Sequence, residues 1–305
     1  MIRPSAFVFA YQDVGVRCLR ALLAADFNVS LVVTHADDAA ESRWFDSVAD
    51  LARDRDIPCE MPDRGDDPVI LERLRSSPPD FIFSFYYRHL IPDRVISLAR
   101  RGALNMHGSL LPRYRGRAPV NWAVLHGEAE TGATLHYMVA RADAGDIVDQ
   151  MPVPILPDDT AAEVMRKVTV AAEVVLVRSL PGLVAGTAPR RPQRIEAGQY
   201  FGRRRPEDGR IDWQRPAIEV HNLVRAVAPP FPGAFTDLPD GRVWVHATRP
   251  AQGIAAPLAS PGIFERAGRC YALCGDGSLL EIRAAADAHG QLAPVLLARR
   301  WPHSA

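Results

Sequence analysis

Apolar and polar positions change rhythm repeatedly along this chain. Residues 6–10 (AFVFA) form a continuous apolar run bounded by a polar stretch, the pattern of a buried strand. Over 16–25 the apolar positions take helical spacing, over 29–34 they form a second strand-like run, and 41–55 read as an amphipathic helix. A short strand over 57–60, helical spacing over 68–75 and a strand over 80–85 (DFIFSF) follow. Strands alternating with helices predict an α/β domain, Rossmann-like, with a doubly wound, mostly parallel sheet. The first turn has only Gly15 and lacks G-x-G-x-x-G, so nothing there argues for a dinucleotide.

Residues 102–147 carry most of the polar chemistry. A short apolar strand ends at Asn105, Met106 and His107, and a Gly/Pro/Arg loop runs from Gly108 to Pro119. A helix is expected over 119–126, and a second strand over 131–139 ends in the turn Arg141-Ala142-Asp143-Ala144-Gly145. Residues 147–155 are β-rich, and Pro152 and Pro154 suit a sheet edge. A long helix over 160–180 is opened by Asp158-Asp159-Thr160 and closed by Pro181-Gly182.

Beyond residue 187 the character shifts. Residues 187–206 are rich in Pro, Arg and Gly and read as a linker. Its Arg203-Arg204-Arg205 run reads as a phosphate-binding element or, slightly better, as a solvated turn. A helix over 216–227 precedes short strand-like runs at 234–236, 242–247, 262–265, 270–273 and 279–283, mostly separated by Gly or Pro. Such a rhythm suggests a small barrel. We expect a catalytic domain over 1–203 and a smaller one over 204–305.

Composition narrows the function classes. At 48% hydrophobic over 305 residues, the chain has ample material for a core. Lys+Arg and Asp+Glu are 36 each, so no global field draws it to nucleic acid or to an anionic membrane. Cys18, Cys59, Cys270 and Cys274 are scattered with no second ligand pair beside the last two, so no structural metal is expected. Scattered cysteines, a strand starting almost at Met1 and no apolar run of about eighteen residues together lead us to expect a cytoplasmic protein without membrane insertion.

In an ideal strand Asn105 and His107 share one face, and ligands of open α/β sheets bind outside the strands' carboxyl ends. An amide there can donate to a developing oxyanion, an imidazole can move protons, and the Asp143 carboxylate can orient the imidazole. Each has a bland reading too: a satisfied surface histidine, or an Asp favoured by a turn. His126 and His136 read as packing, and the remaining histidines receive no role. No evident Ser or Cys nucleophile accompanies the set, which points to direct attack by a substrate group on a carbonyl carbon.

Asn105-x-His107-x-Ser109-Leu110-Leu111-Pro112, then Tyr114-Arg115-Gly116 and later Asp143, resembles the folate-dependent formyltransferases. Within them the chain is most similar to the branch acting on UDP-4-amino-4-deoxy-L-arabinose, through Phe9-Ala10-Tyr11, residues 83–91, Arg115 to Pro119, Phe201-Gly202-Arg203-Arg204 and Cys274-Gly275-Asp276-Gly277. The resemblance implies Asn105, His107 and Asp143 as the catalytic set and 10-formyltetrahydrofolate as formyl donor. It further implies that His89, Leu90, Ile91, Arg117, Val139, Ala140, Arg141 and Ala142 line the folate cleft, and that the second domain is OB-like. The product would belong to lipid A modification and cationic-peptide resistance. A decarboxylase domain follows this region in the known bifunctional form and is expected to be absent here. The alternatives are methionyl-tRNA or another nucleotide-linked aminosugar as acceptor, or a folate- or nucleotide-binding module without turnover. Against tRNA stands the stretch Thr34 to Arg43, with three acidic residues and one Arg, where tRNA-directed relatives carry a basic insertion.

Overall fold

The apolar run near the start forms β1 (Ser5–Ala10), buried along nearly its whole length. The structure, a computed structural model, describes residues 3–36, 44–195 and 200–302. In chain order, α1 (Gln12–Ala24), β2 (Asn28–Val33), α2 (Val48–Asp54), β3 (Cys59–Glu60), α3 (Pro68–Ser76) and β4 (Phe81–Phe85) follow β1. Next come α4 (Asp93–Ile96), β5 (Gly102–His107), β6 (Arg115–Gly116), α5 (Pro119–Leu125), β7 (Glu130–Tyr137), β8 (Ile147–Pro154), α6 (Ala161–Ala185) and β9 (Tyr200–Phe201). Seven strands make one sheet in the order β3-β2-β1-β4-β5-β7-β8. All neighbours up to β5 pair parallel, while β7 runs antiparallel to both β5 and β8. The architecture is therefore the mostly parallel α/β sheet expected from the alternation of elements. Phe9, Phe83, Ile82 and Leu104 are fully buried at its centre, as strands covered on both faces require.

Four expectations need correction. The polar run at 11–15 is not a separate turn: Gln12 alone takes a left-handed φ of 60°, and α1 begins there. The helix expected over 41–55 is α2, capped by Ser47, whose hydroxyl accepts from Asp50 N at 3.2 Å; residues 41–43 lie outside the described residues. Pro181-Gly182 does not close α6, which continues to Ala185 because Leu180 and Leu183 are both buried on its inner stripe. α6 also corrects the view that no apolar run reaches membrane-span length. By length and composition alone it does, with half of its most apolar window buried. Its Glu173 and Arg178 pair with Arg17 and Asp149 of the same unit.

Contacts divide the chain into two units. The first holds residues 1–119, 130–154 and 165–201; the second holds 120–129, 155–164 and 202–305. This partition differs from a single cut at residue 203 because segments from the first half pack with the later chain. Asn121 donates to Ala226 O at 2.8 Å, and Arg225 donates to Leu156 O and Asp159 O. The second unit continues with α7 (Ala217–Val227), β10 (Ala234–Leu238), β11 (Gly241–Ala251), β12 (Gly262–Arg266), β13 (Arg269–Leu273), β14 (Leu279–Asp287), β15 (Gly290–Leu292) and α8 (Pro294–Arg300). Its antiparallel sheet has the order β10-β11-β14-β13-β12, with β15 on β14. The barrel expectation thus corresponds to an antiparallel sheet in which β10 and β12 are the two ends of the pairing path. β15 and α8 had no counterpart in the sequence reading.

The loop after β5 is fastened to β7 by one fully buried side chain. Thr134 Oγ1 donates to Ser109 O at 2.6 Å and accepts from Leu111 N at 3.1 Å and Gln150 Nε2 at 2.9 Å. Thr134→Val keeps the shape but strands these partners. It is expected to cost about 1–3 kcal/mol, read as a lower urea midpoint at unchanged m-value.

Candidate active site

Pairing between β5 and β7 sets Asn105 opposite His136 and His107 opposite Thr134. Asn105 and His107, two apart on one strand, face the same side of the sheet, and His136 joins them as a directly opposed neighbour. His136 Nδ1 lies 2.8 Å from Tyr137 O, which can only accept, so Nδ1 carries the proton. Its Nε2 then accepts from Asn105 Nδ2 at 3.1 Å, which fixes the orientation of the Asn105 amide. His107 Nε2 donates to Tyr114 O at 2.8 Å, leaving Nδ1 turned to Asp143 Oδ1 at 3.6 Å. His107 and His136 are both buried, and Asn105 is partly exposed.

Asp143 reaches this cluster by a route the sequence did not suggest. Because β7 is antiparallel, its carboxyl end lies beside the start of β5, where Met138 N bonds Ala103 O. The site is therefore not a row of strand carboxyl ends; the loop over 138–146 turns back across the sheet face. Asp143 has a left-handed φ of 54°, a conformation Asp tolerates better than most residues. Gln193 holds the turn by donating to Asp143 O at 3.2 Å and Gly145 O at 2.6 Å. Gly116 N donates to Asp143 Oδ2 at 2.9 Å. Gly116 has a φ of 100°, and a Cβ there would meet Phe201 O at 2.2 Å, so this donor position admits only glycine. His136 Nε2 lies 3.7 Å from Asp143 Oδ1, so both imidazoles face the carboxylate.

Burial alone would push the Asp143 carboxyl up. Electrostatic attraction from the His107 ring, the His136 ring and the Gly116 N–H together outweighs it and holds the carboxyl well below the usual carboxylate range. The arrangement thus offers an oriented amide donor, an imidazole with one proton held by a carbonyl, and a carboxylate fixed in its ionised form. Such a set can stabilise a developing oxyanion and carry a proton.

The segment after β4 lies in the same unit. Ile91 packs in the core, Leu90 is exposed, and His89 Nδ1 is buried without a hydrogen-bond partner among the described residues. His35 stacks on Tyr87 with centroids 4.3 Å apart, lies edge-on to His89 at 4.7 Å, and accepts from Arg88 N at 2.9 Å. Arg117 is exposed; its N donates to Phe201 O at 2.9 Å and its guanidinium reaches Arg88 O at 3.5 Å. It therefore spans two loops rather than bracing its own. Val139, Ala140 and Arg141 lie exposed, and Ala142 half-buried, on the loop that carries Asp143.

Among the predicted residues, Asn105, His107 and Asp143 are brought together; His89 and Arg117 connect through Arg88; Val139 to Ala142 share only the Asp143 loop. Sequence reasoning missed His136, taken for packing, and His35, which received no role. The signal for His136 was its place on an apolar strand with Thr134 at the same alternation; only the β5–β7 register reveals its partner.

The formyl transferase family model matches residues 7–180, and the model for the formyl transferase C-terminal domain matches 204–295. An N-formyltransferase from Helicobacter canadensis, solved with folinic acid and dTDP-3-aminofucose, has a similar fold with a TM-score of 0.72 at 18% identity, covering 92% of this chain and 99% of that one. A sugar N-formyltransferase from Shewanella sp. aligns with a TM-score of 0.63 at 18% identity over 85% of this chain and 100% of that one. A 4-N formyltransferase from Francisella tularensis gives 0.63 at 18% identity over 78% and 94%. With the family model spanning more than half its length, this chain belongs to the formyl transferase family.

Proposed function

We propose that this enzyme transfers the formyl group of 10-formyltetrahydrofolate to the 4-amino group of UDP-4-amino-4-deoxy-L-arabinose. The observation that carries the reading is the convergence of Asn105, His107 and Asp143, while the nearby Ser109 hydroxyl is buried and donates to Arg113 O rather than to either imidazole. The unprotonated amine attacks the formyl carbon, a C–N bond forms, and the carbonyl oxygen becomes an oxyanion. The Asn105 amide, held by His136, donates to that oxygen. As the intermediate collapses, the bond to the folate nitrogen breaks and the proton lost by the amine passes to that nitrogen. His107 carries it: a proton taken up at Nδ1 faces the ionised Asp143. His89, Leu90, Ile91, Arg117 and Val139 to Ala142 are assigned to the folate cleft. Support for the donor and for a nucleotide-linked aminosugar comes from the Helicobacter relative's folinic acid and dTDP-3-aminofucose, and support for the 4-amino position from the Francisella enzyme. The same Helicobacter ligand favours a dTDP-linked aminosugar as the second reading. All four cysteines are free, which favours the cytoplasm as the place of reaction. The acidic stretch that argues against tRNA lies from residue 37 onward outside the described residues.

Asn105→Ala and His107→Ala are expected to fold, by circular dichroism, and to lose turnover by about a hundredfold or more. Near-normal rates in both would remove the mechanism.

Asp143→Asn tests the carboxylate separately. Its folded pKa is depressed, so its stabilisation is fully present above the unfolded value of about 3.9 and is lost as pH falls from there through the depressed folded value. Urea unfolding of wild type and variant is therefore expected to differ by about 1–3 kcal/mol near neutrality and to converge as the pH drops below the usual carboxylate range.

Acceptor choice is read by mass spectrometry with UDP- and dTDP-linked 4-aminosugars and methionyl-tRNA competing for limiting formylfolate across a salt series. The UDP-linked sugar is expected to be formylated first. Preferential formylation of tRNA with a steep loss on added salt would overturn the assignment.

A further inference from the structure

Two imidazoles face one carboxylate oxygen in this site, and their surroundings differ. His107 Nδ1 lies 3.6 Å and His136 Nε2 3.7 Å from Asp143 Oδ1. Gly116 N occupies the other oxygen, Oδ2. One carboxylate offsets the charge of one imidazolium, and two charged rings at the same oxygen would repel each other. His136 has a second and closer neighbour at the same nitrogen, Asn105 Nδ2 at 3.1 Å. An amide N–H needs an unprotonated Nε2, whereas a carboxylate needs a protonated one. The far side of the ring bears on the choice. Tyr137 O, 2.8 Å from Nδ1, can only accept, so it takes the single proton of a neutral ring. That carbonyl is closely walled in, since a Cβ on Gly145 would meet it at 2.0 Å. His136 is itself 1% exposed, and its neighbour across on β8 is the apolar Ile147.

We propose that His136 is a positioning residue for formyl transfer and not a second proton carrier: as a neutral Nδ1–H ring it aims the Asn105 amide at the developing oxyanion. The proposal rests on the reading that Asn105 stabilises that oxyanion. Asn105 Nδ2 carries two N–H groups. His136 takes one, and the other is left in the amide plane for the substrate oxygen. A protonated His136 would present an N–H to the amide instead. Asn105 would then turn its Oδ1 to the ring, setting a carbonyl oxygen where negative charge develops. Proton transfer through His107 works against this. The proton that His107 receives sits at Nδ1, beside the shared Asp143 oxygen, and a positive ring there disfavours a proton on His136. One imidazole moves the proton, and that movement keeps the other neutral while its amide donor is in use.

Two measurements on the full-length chain test this. Steady-state kinetics with formylfolate and UDP- or dTDP-linked 4-aminosugars compare His136→Leu, which removes the acceptor, with His136→Gln, whose Oε1 can accept from Asn105 without titrating. His136→Leu is expected to lower kcat by about ten- to thirtyfold at unchanged KM for formylfolate, and His136→Gln to stay within about threefold of wild type. Because His136 acts through Asn105, adding His136→Leu to Asn105→Ala is expected to cost no more than about a further twofold. Nitrogen-15 spectra of histidine-labelled protein need no substrate, and the signals missing from His136→Gln identify the ring. It is expected to be in the neutral Nδ1–H form at neutral pH, with an Nε2 signal that shifts in Asn105→Ala. A His136→Gln loss as deep as that of His136→Leu, and additive with Asn105→Ala, would make His136 a proton carrier. Near-normal turnover in a folded His136→Leu would leave it as packing. Either result, or a protonated Nε2 in the wild-type spectrum, overturns the proposal. If wild type formylates neither sugar, the acceptor reading falls, while the nitrogen spectra still decide whether a neutral His136 holds Asn105.

Discussion

The register between β5 and β7 is the constraint on which the site depends. Setting Asn105 opposite His136 gives the amide one defined orientation and places His107 beside Thr134, which in turn ties down the loop that returns to Tyr114. A slip of one residue would send every one of these side chains to the other face. The register is secured by burial: Leu104, Met106, Ala133 and Leu135 alternate with the polar positions and are almost wholly inaccessible. Packing on one face of the strand pair thus fixes hydrogen-bond geometry on the other.

A second constraint acts through backbone rather than side chains. Asp143 is fixed by the Gly116 N–H, and Gly116 is pressed against Phe201, so a carboxylate on one loop, a glycine on another and the β6–β9 pairing form a single assembly. Tyr114 adds to it twice: its carbonyl holds His107, and its ring stacks on Phe201 at 5.0 Å. The Gly/Pro/Arg loop that looks irregular in sequence therefore carries specific backbone requirements at Tyr114 and Gly116.

Much of this was legible from residues. Strands alternating with helices gave the sheet, and the spacing of Asn105 and His107 gave a shared face. What the sequence could not show was direction. β7 reads like any apolar strand, and nothing in Thr131 to Tyr137 says that it runs antiparallel, so both the path of Asp143 to the cluster and the part played by His136 were hidden. Local signals also misled at α6, where Pro181 reads as a stop but the burial of Leu183 carries the helix past it. The grouping of 120–129 and 155–164 with the later chain was invisible for the same reason: single hydrogen bonds such as that of Asn121 to Ala226 link positions about a hundred residues apart, and no periodicity records them.

His35 carries a consequence of its own. Its ring accepts the Arg88 N–H, and burial, the neighbouring His89 and Arg88 push its pKa down to about 4. An imidazole that must stay neutral to accept keeps the shape of the 86–91 segment indifferent to ordinary acidification. The unfolded chain has no such restriction and takes up a proton near the free value of 6.5. Between these two values the denatured ensemble binds the extra proton, so stability falls with falling pH while the loop itself holds. Mild acid thus draws on the stability of the fold through the denatured chain, while the hydrogen bond that shapes the folded segment stays in place.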